Sequence, residues 1–253
     1  MTGKLFVIGL GPGNQDQVTP QAMKAVVEAR YFYGYKPYID RLSLRTDQIA
    51  VASDNREELA RAEEALDKAA AGATVAIVSG GDPGVFAMAA AVCEAIEAQP
   101  QKWRNVYLEI IPGVTAMLAV AARIGAPLGH DFCAINLSDN LKPWSLVEKR
   151  LTAAASSGFV VALYNPISKA RPWQLGRAFE IAATVLAPQT PVIFGRAAGR
   201  PDERIVFYPL CDARADFADM ATCVIIGSAE TRIVDRGDMP AIVYSPRFAK
   251  ASA

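Results

Sequence analysis

The chain has 253 residues, 52% of them hydrophobic and 21% charged, with 26 basic against 26 acidic side chains. A chain this long and apolar builds one large or two medium cores, and a net charge of zero excludes nucleic-acid binding driven by overall charge. No apolar run reaches a membrane span, no signal-peptide pattern opens the chain, and Cys93, Cys133, Cys211 and Cys223 show no C-x-x-C spacing, so the expectation is a cytoplasmic protein with reduced thiols, no metal site and no membrane partner.

Lys4 to Ile8 reads as a strand running into Gly9-Leu10-Gly11-Pro12-Gly13. A dinucleotide fingerprint would need a third glycine where Asn14 stands and a helix starting at once. Here the helix starts only at Thr19-Pro20, a good cap and first-turn pair, and runs to Arg30. Tyr31 to Tyr33 and Gln48 to Val51 are short strands, and Arg56 to Ala71 is a helix with one charged, solvated face. Thr74 to Met88 is the organising stretch. Val75 to Val78 is an apolar run suited to a strand buried on both faces. Ser79-Gly80-Gly81-Asp82-Pro83-Gly84 breaks it, and Val85 to Ala98 reads as a helix. A carboxylate in a glycine turn at the carboxyl end of a buried strand lies where open α/β sheets bind ligands. Its charge argues against phosphate and for a cationic or polyhydroxylated ligand; a plain turn with Asp82 as helix cap is the competing explanation.

Val106 to Ile111 is another strand, ending in Pro112-Gly113-Val114-Thr115-Ala116 before a small-residue helix through Arg123. The domain junction is placed here, between Pro112 and Ala126, giving domains 1–114 and 115–253. Phe132 to Leu137 is a strand followed by the polar loop Ser138 to Trp144 and a helix from Ser145 to Ala154. Phe159 to Leu163 is a strand closed by Tyr164-Asn165-Pro166, with Lys169 and Arg171 just beyond. Trp173 to Leu186 is a helix, and Pro191 to Phe194 is a strand ending at Gly195 to Arg200. Arg204 to Tyr208, Thr222 to Ile226 and Ala241 to Tyr244 complete the sheet. Strands crowd together in this half, so a mixed sheet with antiparallel pairing is expected beside a mainly parallel N-terminal sheet.

Val7 to Gly13, Ser79 to Phe86, Pro112 to Ala116, Leu163 to Pro166 and Gly195 to Ala197 together resemble, in order and spacing, the tetrapyrrole methylase family. The resemblance implies two α/β domains with the active site in the cleft between them, a homodimer, a small-molecule tetrapyrrole as substrate, and S-adenosylmethionine as donor, leaving S-adenosylhomocysteine. By position it assigns Gly81, Asp82, Pro83 and Phe86 to the methionine and ribose end of the donor. Thr115 and Ala116 line the other side, and Tyr164, Asn165 and Ala197 receive the adenine, largely through backbone groups. Pro12 is grouped with them at the floor of the substrate trough, and Gly11 and Gly13 flank it on the substrate side. Relatives often carry methionine where Asn165 stands, which makes that contact polar here. The substrate's carboxylates suit cationic forks, for which Arg171, Arg196, Arg200 and Lys142 are candidates. Where methylation accompanies ring contraction a base is needed; Asp16, Asp139 and the single His130 are the polar candidates, and Asp139 is carried forward. A protein or RNA methylase of the same fold would show a basic approach, which the neutral charge disfavours, and a nicotinamide enzyme is disfavoured by the broken fingerprint.

Overall fold

The computed structural model describes residues 3–54 and 57–248, so Arg56, expected to open a helix, lies outside them. The chain divides into two compact units, Met1–Thr115 and Ala116–Ala253.

The first unit runs β1 (Lys4–Gly9), α1 (Pro20–Glu28), β2 (Tyr31–Tyr35), α2 (Lys36–Ile39), β3 (Ile49–Ser53), α3 (Glu58–Ala70), β4 (Thr74–Ser79), α4 (Met88–Ala98) and β5 (Tyr107–Ile111). Its five strands lie in the order β3-β2-β4-β1-β5, every pairing parallel. Successive strand residues face opposite sides, and both sides here are apolar. Leu5, Val7, Val75 and Ile77 pack against α3 and α4, while Phe6, Ile8, Ala76 and Val78 pack against α1. Helix α1 begins where the sequence places it: Thr19 caps it, its side chain accepting from the Ala22 N–H at 3.1 Å, with Pro20 in the first turn. Helix α4 begins three residues later than its apolar run suggests, because Phe86 takes a φ of +53° and the helix forms only beyond it.

The second unit runs α5 (Ala116–Ile124), β6 (Gly125–Ala126), β7 (Phe132–Asn136), α6 (Trp144–Ser156), β8 (Val160–Tyr164), α7 (Gln174–Ala183), β9 (Pro191–Arg196), β10 (Arg204–Pro209), β11 (Thr222–Ile226), β12 (Arg232–Arg236) and β13 (Met239–Tyr244). The main sheet, β10-β9-β11-β8-β7, is mixed: β7 and β8 are parallel, and the other neighbours are antiparallel. Helices α6 and α7 cover one face through Val147, Leu151, Leu175, Ala178 and Phe179. A small second sheet, β12-β13-β6, is unanticipated, and Ala241 to Tyr244, expected to complete the main sheet, lies instead in its middle strand β13. Its first strand is exposed throughout, so no alternation of apolar and polar residues announces it.

Among the described residues no helix is long and apolar enough to cross a membrane, and no group of three or more His, Cys, Asp or Glu side chains is placed to hold a metal ion. Cys223 is buried in β11, and burial pushes its thiol up to about 12, whereas Cys93 and Cys211 are exposed. Only the thiolate reacts quickly with disulfide reagents. In native protein at neutral pH, Cys93 and Cys211 are therefore expected to react with a chromogenic disulfide and Cys223 to react only after unfolding. Equal labelling of Cys223 without denaturant would refute its place in the core.

Candidate functional site

The parallel order of the first unit brings the turns after β1, β4 and β5 to one sheet edge. The neighbouring strands β1 and β4 send their following helices to opposite faces of the sheet, the switch point where open α/β sheets take ligands. Here that edge is built of main chain. Gly11 and Gly81 exchange N–H···O bonds of 3.1 and 2.9 Å, and the Leu10 N–H donates to Ser79 O at 2.9 Å. The turn after β5 closes on the same point: a Cβ on Gly113 would lie 2.3 Å from Gly81 O, and one on Gly9 would lie 2.6 Å from that same oxygen. Only residues without a side chain permit three turns to approach so closely.

Asp82 fastens these turns. Its Oδ1 accepts from the Gly84 N–H at 2.8 Å and its Oδ2 from the Gly113 N–H at 3.0 Å. The carboxylate expected to meet a ligand is thus first a clasp between two turns, and each oxygen retains a lone pair for a further donor. Arg41, which no local sequence pattern picks out, clasps the first turn from the other side, donating to Gly11 O at 3.0 Å and Leu10 O at 2.5 Å. Thr115 is buried, its Cα 3.6 Å from where a Cβ on Gly81 would stand. Gly11, Gly81, Asp82 and Thr115 are therefore brought together. Pro12 and Gly13 continue the first turn, half-buried, into the short 3-10 turn Gln15–Gln17, which holds Asp16 exposed at the surface.

Two further observations fit a bound polar molecule at this edge. Phe86 holds a strained left-handed backbone while 46% exposed, and Ser79 Oγ is buried with no hydrogen-bond partner among the described residues. Backbone strain of this kind persists where the surroundings enforce it, commonly at ligand sites.

In the second unit the corresponding edge is formed by the carboxyl ends of β7, β8 and β9. Asn165 and Ala197 directly follow β8 and β9, with φ of +50° and +49°. With Phe86 they are the non-glycine residues of positive φ among the described residues. Strand β11 runs between β8 and β9, and the Ala197 N–H donates to Ala221 O at 2.9 Å, so both strained residues lie at one end of one sheet. The Tyr164 hydroxyl accepts from the Met117 N–H at 3.0 Å and so positions the start of α5, at Ala116.

The polar loop after β7 and the loop after Asn165 are tied together. Arg171 donates to Asn140 Oδ1 and pairs with Asp139 Oδ1 at 3.5 Å. Its backbone exchanges hydrogen bonds with Ser168. Lys142 Nζ donates to Ser138 O at 3.0 Å, and burial, with Arg150 adding repulsion, pulls its ammonium below the usual lysine range. Trp144 and Trp173 stack edge to face, 4.8 Å between centroids. Arg196, anticipated as a free fork, is engaged within its own unit: Nη1 meets Asp202 Oδ2 at 2.6 Å and Nε meets Asp219 Oδ2 at 2.7 Å. The hydrogen bonds it donates to Asp202 and Asp219 raise its pKa. It steadies the turn carrying Ala197, while Arg200 is exposed beyond that turn. His130 precedes β7 at the opposite end of the sheet, its Nδ1 accepting from the Asp131 N–H at 2.7 Å, with the whole of β7, about 13 Å from Phe132 to Asn136, between it and Asn136.

Replacing Asp82 by Ala leaves the N–H groups of Gly84 and Gly113 without their acceptor. The expected loss is about 1–3 kcal/mol of unfolding free energy by denaturant titration. Asp82→Asn, with one accepting atom in place of two, should fall between. A wild-type transition for Asp82→Ala would remove the clasp.

The sequence profile described as Tetrapyrrole (Corrin/Porphyrin) Methylases matches residues 4–213. A Sinorhizobium protein named precorrin-3B C(17)-methyltransferase is 69% identical over 248 residues, covering 98% of this chain and 98% of that one. A Salmonella typhimurium protein named probable cobalt-factor III C(17)-methyltransferase is 40% identical over 232 residues, 91% of this chain and 95% of its own. The crystal structure of the methyltransferase CobJ superposes with a TM-score of 0.92 at 50% identity, over 96% of this chain and all of that one.

Proposed function

The chain belongs to the tetrapyrrole (corrin/porphyrin) methylase family, and we propose that it transfers the methyl group of S-adenosylmethionine to carbon 17 of precorrin-3B, with contraction of the macrocycle to precorrin-4. The observation that carries this assignment is the 69% identity to the Sinorhizobium enzyme of that name, sustained over nearly all of both chains. A cobalt-containing counterpart of the substrate is the alternative, supported by the 40% identity to the Salmonella protein.

The sulfonium of the donor supplies an activated methyl group. What the chain's own residues then supply is placement and exclusion of water, which at best lower a barrier by about 7–11 kcal/mol. Glycine turns let main chain approach the methionine and ribose end at Gly81, and Pro83 and Phe86 wall it. Thr115 and Ala116 line the other side, and Tyr164, Asn165 and Ala197 take the adenine. Pro12, with Gly11 and Gly13, faces the substrate. Arg171 has guanidinium donors beyond those given to Asn140 and Asp139, and these meet a substrate carboxylate, with Lys142 and Arg200 as further cations. Asp139, held beside Arg171, is the base that takes a ring hydroxyl proton during contraction. The same assignment makes the protein a cytoplasmic homodimer.

Incubation with precorrin-3B and S-adenosylmethionine is expected to give S-adenosylhomocysteine and a product one methyl heavier, with carbon 17 methylated and the ring contracted by nuclear magnetic resonance. Turnover of cobalt-factor III alone would decide for the alternative, and turnover of neither would end both. Arg171→Ala should raise KM for the tetrapyrrole several-fold and leave donor affinity unchanged by calorimetry; the reverse pattern would displace Arg171 from the substrate side.

A further inference from the structure

Asn136, the last residue of β7, has no part in the assignments above, yet it fixes the chemistry of a residue that does. Its Oδ1 accepts from the Ser138 N–H at 2.9 Å and from Asn165 Nδ2 at 3.0 Å. The two ends of an amide are alike in shape, so only their partners determine which is which. A backbone N–H donates and never accepts; the Asn136 atom it meets must therefore be oxygen. An oxygen accepts, so the Asn165 atom that meets it must be nitrogen. Asn165 Oδ1 is then on the branch turned away from Asn136, and it is an acceptor.

The backbone of Asn165 is equally constrained. Its φ is +50°, a conformation asparagine tolerates better than most residues. The Leu137 N–H donates to Tyr164 O at 2.9 Å, which seals the strand ends immediately before it. Pro166 follows, buried. An exposed residue with both its backbone and its amide orientation fixed presents one acceptor in one direction.

We propose that Asn136 is a positioning residue that sets Asn165 Oδ1 as the acceptor for the 6-amino group of the donor's purine, so that the protein selects a 6-aminopurine nucleoside over a 6-oxopurine one. This rests on the S-adenosylmethionine assignment and deepens it. A 6-amino group donates to Asn165 Oδ1. A 6-oxo group would set oxygen against oxygen, and Asn165 cannot turn its amide without setting its own oxygen against Asn136 Oδ1. A methionine at position 165 would have no such preference.

Calorimetry with S-adenosyl-L-homocysteine and S-inosyl-L-homocysteine tests the proposal. Wild-type protein should prefer the adenosyl compound by about tenfold or more, as expected when a polar site is left mispaired. Asn136→Asp retains acceptors for both Ser138 and Asn165 and should keep the preference. Asn136→Ala frees the Asn165 amide to turn, and Asn165→Leu removes it; each should bring the two affinities within about threefold. Should Asn136→Ala fail to fold, Asn136→Leu, which also lacks the acceptor, takes its place. Equal binding of both compounds by wild type, or an undiminished preference in Asn165→Leu or in the variant lacking the Asn136 acceptor, overturns the proposal and leaves the donor assignment standing. Failure of wild type to bind either compound overturns the donor assignment and the proposal with it.

Discussion

The carboxylate of Asp82, accepting from the N–H groups of Gly84 and Gly113, is the contact on which the joined glycine turns of the first unit depend. Parallel strands bring their following turns to one edge but do not join them. Three turns that meet main chain to main chain have no side chains with which to hold one another: Gly9 and Gly113 have no room for one, and Gly81 holds a φ of +67° that disfavours one. The bonds must therefore come from backbone groups and from a residue just outside the contact. Asp82 reaches forward to the third turn, Arg41 reaches in to the first, and the Gly11–Gly81 pair joins the first and second. Rigid glycine is obtained by fastening its carbonyls and N–H groups from the sides.

In the second unit side-chain amides take over the task that Asp82 performs in the first. The Asn136 oxygen gathers the start of the polar loop and the strained Asn165, and Arg171 binds that loop to the one beyond Asn165. Arg196, between Asp202 and Asp219, steadies the turn with Ala197. Burial works against the charge of Asp219, but hydrogen bonds from Thr222, Arg196 and the Ala221 N–H outweigh it and hold the carboxyl below its usual range. That clamp is complete at neutral pH and weakens as pH falls through the lowered value.

The glycine turns were legible in the sequence because their residues have few other uses. Strands β1 and β4, with an apolar residue at almost every position, announced a sheet buried on both faces. Thr19-Pro20 announced the start of α1. Phe86 was not legible: the alanines and methionine that follow it are good helix formers, and only the tertiary setting forces it into a left-handed conformation two residues before α4 begins. Arg41 was hidden because its partners lie 30 and 31 residues away and are carbonyls, which leave no trace in side-chain pattern. The protein partners of Asp82 and Arg196 were not legible for one reason. A charged residue near a glycine turn invites a ligand, but backbone N–H groups or nearby carboxylates can claim it first.

The positive-φ residues carry the synthesis furthest. A left-handed conformation costs an alanine or phenylalanine about 1–2 kcal/mol, so neither persists by accident, and glycine would have removed the cost. Ala197 is buried; its N–H donates to Ala221 O and its carbonyl accepts from the Arg200 N–H, each at 2.9 Å, so the strained turn is fastened at both backbone groups. Phe86 keeps a large ring at the surface, where burial contributes little to the fold. Asn165 has the amide whose orientation Asn136 dictates. At Phe86 and Asn165 the strain fixes a side chain that glycine lacks. The protein forgoes stability at these positions, and what it gains is a fixed direction for an exposed ring in one unit and for an oriented amide in the other.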